Sequence, residues 1–422
     1  MKAGFASLVL VVAVSCVAAE RLDFSVLRML AVQRDGRKKP LDTVANEAAL
    51  RVTGKQSNAM EFLLSLWLQT RDWQDWAVVS VEHRGLKRRL GLPVERRSFS
   101  YRELATDALQ ALVQQAAGKP AENRSPVERE ALVLAHKLQV LSELASPESL
   151  LVVPRGSDEK EPWQAIPPDG PIRERFEAVR AAFARGDKRA LLAASHKLEA
   201  ALRALGPDVY PSRRSLAREV HYNRFRPFRK AAWSYGVSFA VLLATWRLHR
   251  RLWYWAAVLV FGVGVALHAY GFGLRAMISG RVPITNMYES VVWVSFGAAV
   301  FALAFEMMVR GRYCLAAVAP VAAVMLFLAD LFPAVLDPSI GPLVPVLRSN
   351  FWLAVHVPAV TLGYSAFAVA MALGHVALGF HVLRPQAADT IARLEHFVYR
   401  AMQAGVLLLA AGTILGLSLI HI

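Results

Sequence analysis

At 422 residues, 55% hydrophobic and with a mean hydropathy of +0.34, the chain is too apolar for an ordinary soluble protein. Its formal charge of +16 and pI near 10.2 do not lead to nucleic acid, because no basic helix interleaved with aromatic residues accompanies a recognisable binding module, and much of the Lys and Arg lies in short loops beside apolar runs. The two cysteines, Cys16 and Cys314, exclude a disulfide framework, a CxxC redox pair and a cysteine-based metal site.

Lys2 is followed by an uncharged run from Ala3 to Val14 and by the small residues Val17-Ala18-Ala19, the pattern of a secretory signal over residues 1–19, with an uncleaved anchor as the second reading. From Glu20 to Lys230 the chain is polar enough to fold in water. Apolar residues recur three and four apart in Leu41 to Val52, Met60 to Leu68, Val127 to Leu144 and Arg173 to Leu205, which predicts helices that each cover a core with one face. Pro154 to Pro171 reads as a loop, and Trp67, Trp73 and Trp76 as packing residues.

After Pro227 the texture changes. Apolar runs at Ala231 to Leu248, Leu252 to Leu274, Ser290 to Val309, Cys314 to Phe332, Phe351 to Leu383 and Ala401 onward are each near or above the ~20 residues that cross a bilayer. The expectation is an all-α polytopic membrane protein. It has six transmembrane helices, the last incomplete, behind an exported, mostly α-helical soluble domain.

If the leader exports residues 20–230, the first span runs inward, and the loops at 247–251, 310–312 and 384–400 are cytoplasmic. They hold Arg247, Arg250, Arg251, Arg310, Arg312, Arg384, Arg393 and Arg400, against Arg275, Arg281 and Arg348 outside, as the positive-inside rule requires.

Two outer loops then carry polar residues at the mouths of apolar helices. Asn286, Tyr288 and Glu289 stand at the start of one span, where a carboxylate is either a helix cap or part of a site. Trp352 and His356 begin another and, four apart, share a helix face. They suit an interfacial anchor as well as the wall and axial ligand of a flat cofactor. His268 sits at a depth close to that of His356. His375, ~28 Å further along a helix, cannot share a metal with His356.

The run Pro283-Ile-Thr-Asn286-Met-Tyr288-Glu289-Ser290, with Leu343-Val-Pro345-Val-Leu-Arg348-Ser349-Asn350-Phe-Trp352-Leu-Ala-Val-His356-Val and Gly363-Tyr364, closely resembles the haem-handling subunit of System II cytochrome c synthases, the CcsA/ResC family related to CcmC and CcmF. Val32-Gln-Arg-Asp-Gly36-Arg37-Lys-Lys-Pro40-Leu-Asp42-Thr43 and Glu219-Val-His-Tyr222-Asn223-Arg-Phe-Arg-Pro227-Phe228 resemble the exported extension of some bacterial members. The resemblance implies a multi-pass protein of the bacterial inner membrane with residues 20–230 periplasmic. It implies haem b held outside for thioether attachment to apocytochrome c CxxCH motifs, and a CcsB/ResB-like partner subunit. By this resemblance His356 matches an outer axial ligand beside a tryptophan-rich platform. His268 is a further candidate, and Arg281 and Arg348 suit the propionates.

Members of that family continue past a segment like Gly412 to Gly416 into a WGxxWGWDPKE-like stretch. Here Leu417-Ser-Leu-Ile-His-Ile422 follows, which corresponds to the translation of a transposase adapter end. The expectation is a membrane domain over 231–416 that stops before the platform, and a non-native tail over 417–422. A small-substrate permease with an exported accessory domain is the alternative from another class. A purely structural subunit that steers a partner, with no metal ligand, is the third reading.

Overall fold

The computed structural model describes residues 22–156, 161–248, 251–309, 311–333, 335–342 and 350–421. The leader, Arg348 and Ser349 lie outside them. The chain is mostly helical, and it carries two apolar cores, one gathered between Leu27 and Leu216 and one between Phe228 and Ala401.

The polar region starts with α1 (Ser25–Arg28) and a hairpin of β1 (Ala31–Arg34) and β2 (Arg37–Pro40). The sequence expectation of helices alone misses this hairpin. Asp35 and Gly36 turn it with φ of 51° and 75°, the doubly positive geometry that favours Asp-Gly in a two-residue connection. Then come α2 (Leu41–Thr53), α3 (Ala59–Trp67), β3 (Val79–Ser80), α4 (Arg84–Arg89), β4 (Ser98–Phe99), α5 (Tyr101–Leu104), α6 (Asp107–Ala117) and α7 (Pro126–Leu144). The helix expected from Arg173 to Leu205 is two, α8 (Gly170–Arg185) and α9 (Lys188–Leu205). Gly186 ends the first at φ 69°, and Asp187 caps the second by accepting from the Ala190 amide at 2.9 Å. The region closes with α10 (Arg213–Phe225). Trp67 is fully buried, its Nε1 donating to the Pro147 carbonyl at 3.1 Å. Trp73 packs edge-on to Tyr101, and Trp76 packs against Phe62, so all three are packing residues.

The bundle comprises α11 (Pro227–Leu248), α12 (Arg251–Ser279), α13 (Met287–Val309), α14 (Tyr313–Leu331), α15 (Asn350–Leu383) and α16 (Ala388–His421). Among the described residues five helices are long and apolar enough to cross a membrane: Arg251–Ser279, Met287–Met308, Tyr313–Leu331, Val355–Leu383 and Ala388–Leu417. The first expected span, within α11, is not among them. That helix carries Arg229 and Lys230 in its first turn and Ser234, Tyr235 and Ser238 in its middle. It nevertheless joins the bundle, because Ser238 donates to the Ala257 carbonyl at 2.9 Å and Trp233 packs on Phe327.

The last helix starts at Ala388 rather than Ala401, so Arg393 and Arg400 lie on a helix and not in a loop. Sequential helices run antiparallel, as Tyr235–His268, Arg275–Glu289 and Ser295–Ala322 contacts show. One end of the bundle, with the 280–286 and 332–342 loops, faces the polar region.

Candidate functional site

The near end of the bundle is built on buried charge. Asn286 precedes α13, and its Oδ1 accepts from the Glu289 amide at 2.8 Å, a helix cap. Glu289 then accepts from Arg275 Nη2 at 2.6 Å and Nε at 3.2 Å with one oxygen, and from the Thr285 amide at 2.8 Å and hydroxyl at 2.9 Å with the other. Both charged side chains are 1% exposed. Arg275 donates onward to the Tyr222 hydroxyl at 3.1 Å and the Pro338 carbonyl at 2.9 Å, and Tyr288 lays its ring 5.2 Å from its guanidinium carbon. A buried pair is tolerable only when its remaining donors and acceptors are filled, and here they are. Glu289 and Tyr288 therefore clamp Arg275, and Asn286 caps the helix that carries them.

Arg281, in the loop between α12 and α13, donates to the Gly341 carbonyl at 2.9 Å and the Thr285 hydroxyl at 3.1 Å. Its Nε is buried with no hydrogen-bond partner among the described residues, as is Nε1 of Trp293. Both residues line a groove of about 460 Å³ whose other walls include Phe272, Ala276 and Pro283.

The two stretches of the polar region singled out in the sequence meet on this same end. Arg37 pairs with Glu219 through both Nη atoms, at 2.9 and 2.6 Å. Thr43 donates to Glu219 at 2.7 Å, and Asn223 donates to Thr43 at 2.9 Å and to Asp42 at 3.0 Å. Asp42 is also paired with Arg28. Arg37 Nε reaches the Ile340 carbonyl at 2.7 Å, joining this network to the bundle.

His268 is fully buried on α12, with Nδ1 3.2 Å from the Tyr235 hydroxyl and Nε2 3.1 Å from the Val292 carbonyl. Since a carbonyl only accepts, Nε2 carries the proton and Nδ1 takes the tyrosine hydrogen. Phe272 stacks on the ring at 5.5 Å, with Phe228 and Phe296 edge-on. Both nitrogens are engaged, so binding a metal there requires breaking one of these bonds.

His356 is arranged differently. It is half-buried on α15, and Nδ1 lies 2.7 Å from the Gly412 carbonyl on α16. Nδ1 must therefore donate, which leaves Nε2 of the neutral ring with its lone pair. A histidine held by a backbone carbonyl at one nitrogen and, among the described residues, without a partner at the other is the arrangement metal-binding imidazoles use. The ring rests on Gly416, where a Cβ would come within 2.6 Å of Cε1. Trp352 lies one helical turn earlier on α15, and its side chain is outside the described residues, as is Arg348 altogether. No contact joins His356 to His268 or Arg281 among the described residues.

In sequence Arg275 reads only as a loop charge and Glu219 only as the start of a family-like run, and the fully buried Glu306 goes unnoticed. Glu306, at the far end, accepts from the Tyr254 hydroxyl at 2.8 Å and the Arg312 amide at 2.6 Å. For Arg275 and Glu306 the available signal was an ionisable residue inside an apolar run, which rarely occurs without a partner.

Residues 284–419 match the cytochrome C assembly protein family. The chain is similar to Protein NrfI of Wolinella succinogenes, 28% identical over 412 residues, which is 90% of this chain and 45% of that protein. It is also similar to the cytochrome c biogenesis protein CcsA of Picosynechococcus, 38% identical over 23% of this chain and 28% of that protein. For CcsA of Nostoc punctiforme the figures are 34% identity, 32% and 41%. The chain spans less than half the length of these relatives.

Proposed function

We propose, on the premise that the chain belongs to the CcsA-type cytochrome c biogenesis family, that it holds haem b at the near end of its bundle and presents it for thioether attachment to the CxxCH cysteines of an apocytochrome c. The observation that carries this reading is the state of His356: Nδ1 is committed to the Gly412 carbonyl, so Nε2 is available to iron. These residues fit the group. Haem, when bound, supplies the vinyl carbons that take up the cysteine thiols.

The chain's own contribution is to hold the His356 ring in one tautomer and to wall it. Trp352, four residues before His356 in the sequence, is the proposed wall, and Arg348 the proposed propionate partner. The buried Arg275–Glu289 pair, with Asn286 and Tyr288, fixes the ends of α12 and α13 on which Arg281 stands. In this reading residues 20–230 form an exported domain and residues 231–416 a membrane domain in the bacterial inner membrane. The near end is then periplasmic, and a CcsB/ResB-like subunit is the partner.

The test is the absorption spectrum of the protein purified from a haem-replete host, recorded beside His356→Ala. The expected result is a haem Soret band in the parent that is lost or shifted in the variant and restored by added imidazole. A parent without haem, or a variant with the parental spectrum and yield, overturns the assignment of His356.

A further inference from the structure

Three arginines from three separate elements hold one short piece of backbone. Arg275 of α12 donates to the Pro338 carbonyl at 2.9 Å, Arg37 of β2 to the Ile340 carbonyl at 2.7 Å, and Arg281 of the α12–α13 loop to the Gly341 carbonyl at 2.9 Å. Among the described residues this strap has little else to bind with. Pro338 and Pro342 have no N–H, and the Ser339 amide is taken by Asp337 at 2.9 Å, so its carbonyls need outside donors. The turn of the hairpin also touches it, since a Cβ on Gly36 would lie 3.1 Å from Pro342 Cγ. In sequence the strap leads directly toward α15 and His356.

The three arginines are not equivalent. Arg275 and Arg281 belong to the bundle, whereas Arg37 belongs to the polar region and is the only one of the three that crosses from it. Glu219 holds both Nη atoms of Arg37, which aims Nε at Ile340. A guanidinium provides those three donors in one rigid plane. A lysine ammonium, a point charge on a flexible stem, keeps the pairing with Glu219 but cannot also reach Ile340 in that geometry.

We propose that Arg37 is a positioning residue through which the polar region sets the strap, and with it the entry of the chain into α15 and the placement of His356. The proposal rests on the haem reading of His356 and adds to it a control exerted from outside the bundle. Release of the Ile340 carbonyl lets the strap move. The start of α15 follows it, which loosens the contact of His356 with the Gly412 carbonyl and takes the ring from the iron.

The experiment compares the parent, Arg37→Lys, Gly36→Ala and His356→Ala, all purified from a haem-replete host. Amide hydrogen exchange is read at Ser339, Ile340 and Gly341, and absorption spectra are taken with and without imidazole. Arg37→Lys should unfold no more than a few degrees below the parent and exchange strap amides roughly tenfold faster, both on the scale of one net hydrogen bond. Its His356-type spectrum should be lost and then restored by imidazole. Gly36→Ala, which keeps the Arg37 and Glu219 side chains but strains the turn at φ 75° and presses on Pro342, should do the same. Parental strap exchange in both variants overturns the proposal, as does faster exchange with a parental spectrum. If His356→Ala itself keeps the parental spectrum, the haem reading fails on its own account, and the exchange rates alone decide whether Arg37 holds the strap.

Discussion

Arg275 and Glu289 face each other across the ends of two helices with Nη2 and Oε1 2.6 Å apart and neither side chain more than 1% exposed. Around them Thr285, Tyr222 and the Pro338 carbonyl fill the remaining donors and acceptors, so a single pair ties α10, α12, α13 and the strap together.

Removing one partner should therefore cost far more than removing both. Glu289→Leu leaves a buried guanidinium without its counter-ion, and loses about 3–5 kcal/mol of stability. The double variant Arg275→Met with Glu289→Leu should recover much of that loss, because an apolar pair of similar volume does not need to be solvated. Chemical unfolding of the parent, both single variants and the double variant in detergent measures the coupling. Additive losses would show that the two residues act independently.

His268 should behave as a core residue in the same assay. His268→Leu strands the Tyr235 hydroxyl inside a ring of phenylalanines, at about 1–3 kcal/mol for the unsatisfied group, while the Val292 carbonyl keeps its place in the α13 helix ladder. Combined with Tyr235→Phe the loss should shrink, since the stranded group is then gone. A haem spectrum that changes in His268→Leu without any loss of stability would instead make this histidine a ligand.

Helix positions were legible where apolar runs were unbroken: Phe351 to Leu383 was expected and Asn350–Leu383 is found. They were not legible where a helix is amphipathic. Ala388 to Arg400 carries its charges on one side and so reads as a loop until the packing side is seen. The β1–β2 hairpin escaped because Arg37, Lys38 and Lys39 break the alternation of a strand, although Asp35-Gly36 was a sufficient turn signal. At the site, the cap at Asn286 follows from local sequence. The partners of Glu289 do not, because Arg275, Tyr222 and Pro338 are brought in by tertiary packing. For histidines, sequence supplies depth along a helix but not the second nitrogen's partner. That partner is what separates His356 from His268.

Alkaline pH should loosen the polar region through Tyr210. Burial pushes this phenol up to about 12, while its oxygen accepts from the Ala31 amide at 3.0 Å beside the hairpin. The unfolded chain releases the proton near pH 10. The folded state thus favours the protonated form, and the stabilisation is complete below pH ~10 and is lost as pH rises toward 12. Between those limits Tyr210→Phe should reduce the fall of unfolding free energy by up to about 1.4 kcal/mol per pH unit, the value of one proton. Equal slopes for parent and variant would remove Tyr210 from the account.

The contact of α15 with α16 sets the last expectation, because it determines where His356 finds its carbonyl. A Cβ on Gly363 would lie 3.1 Å from the Gly405 carbonyl and 3.2 Å from the Leu409 nitrogen, and one on Gly412 would lie 2.5 Å from Val360 Cγ2 and 3.0 Å from its nitrogen. These neighbours are largely backbone, which cannot turn aside. Close approach through small residues is how helices associate in lipid, where apolar burial gives no advantage over the acyl chains. Gly412→Ala should therefore push α16 away, lengthen the His356–Gly412 bond and free the ring to change tautomer, with a shifted haem spectrum as the readout. Gly379→Ala is the control. Nothing lies within 4 Å of its added methyl, and alanine is better than glycine in a helix by up to about 1 kcal/mol, so stability should stay level or rise. If Gly412→Ala leaves the spectrum as it was, the carbonyl on α16 is not what orients His356.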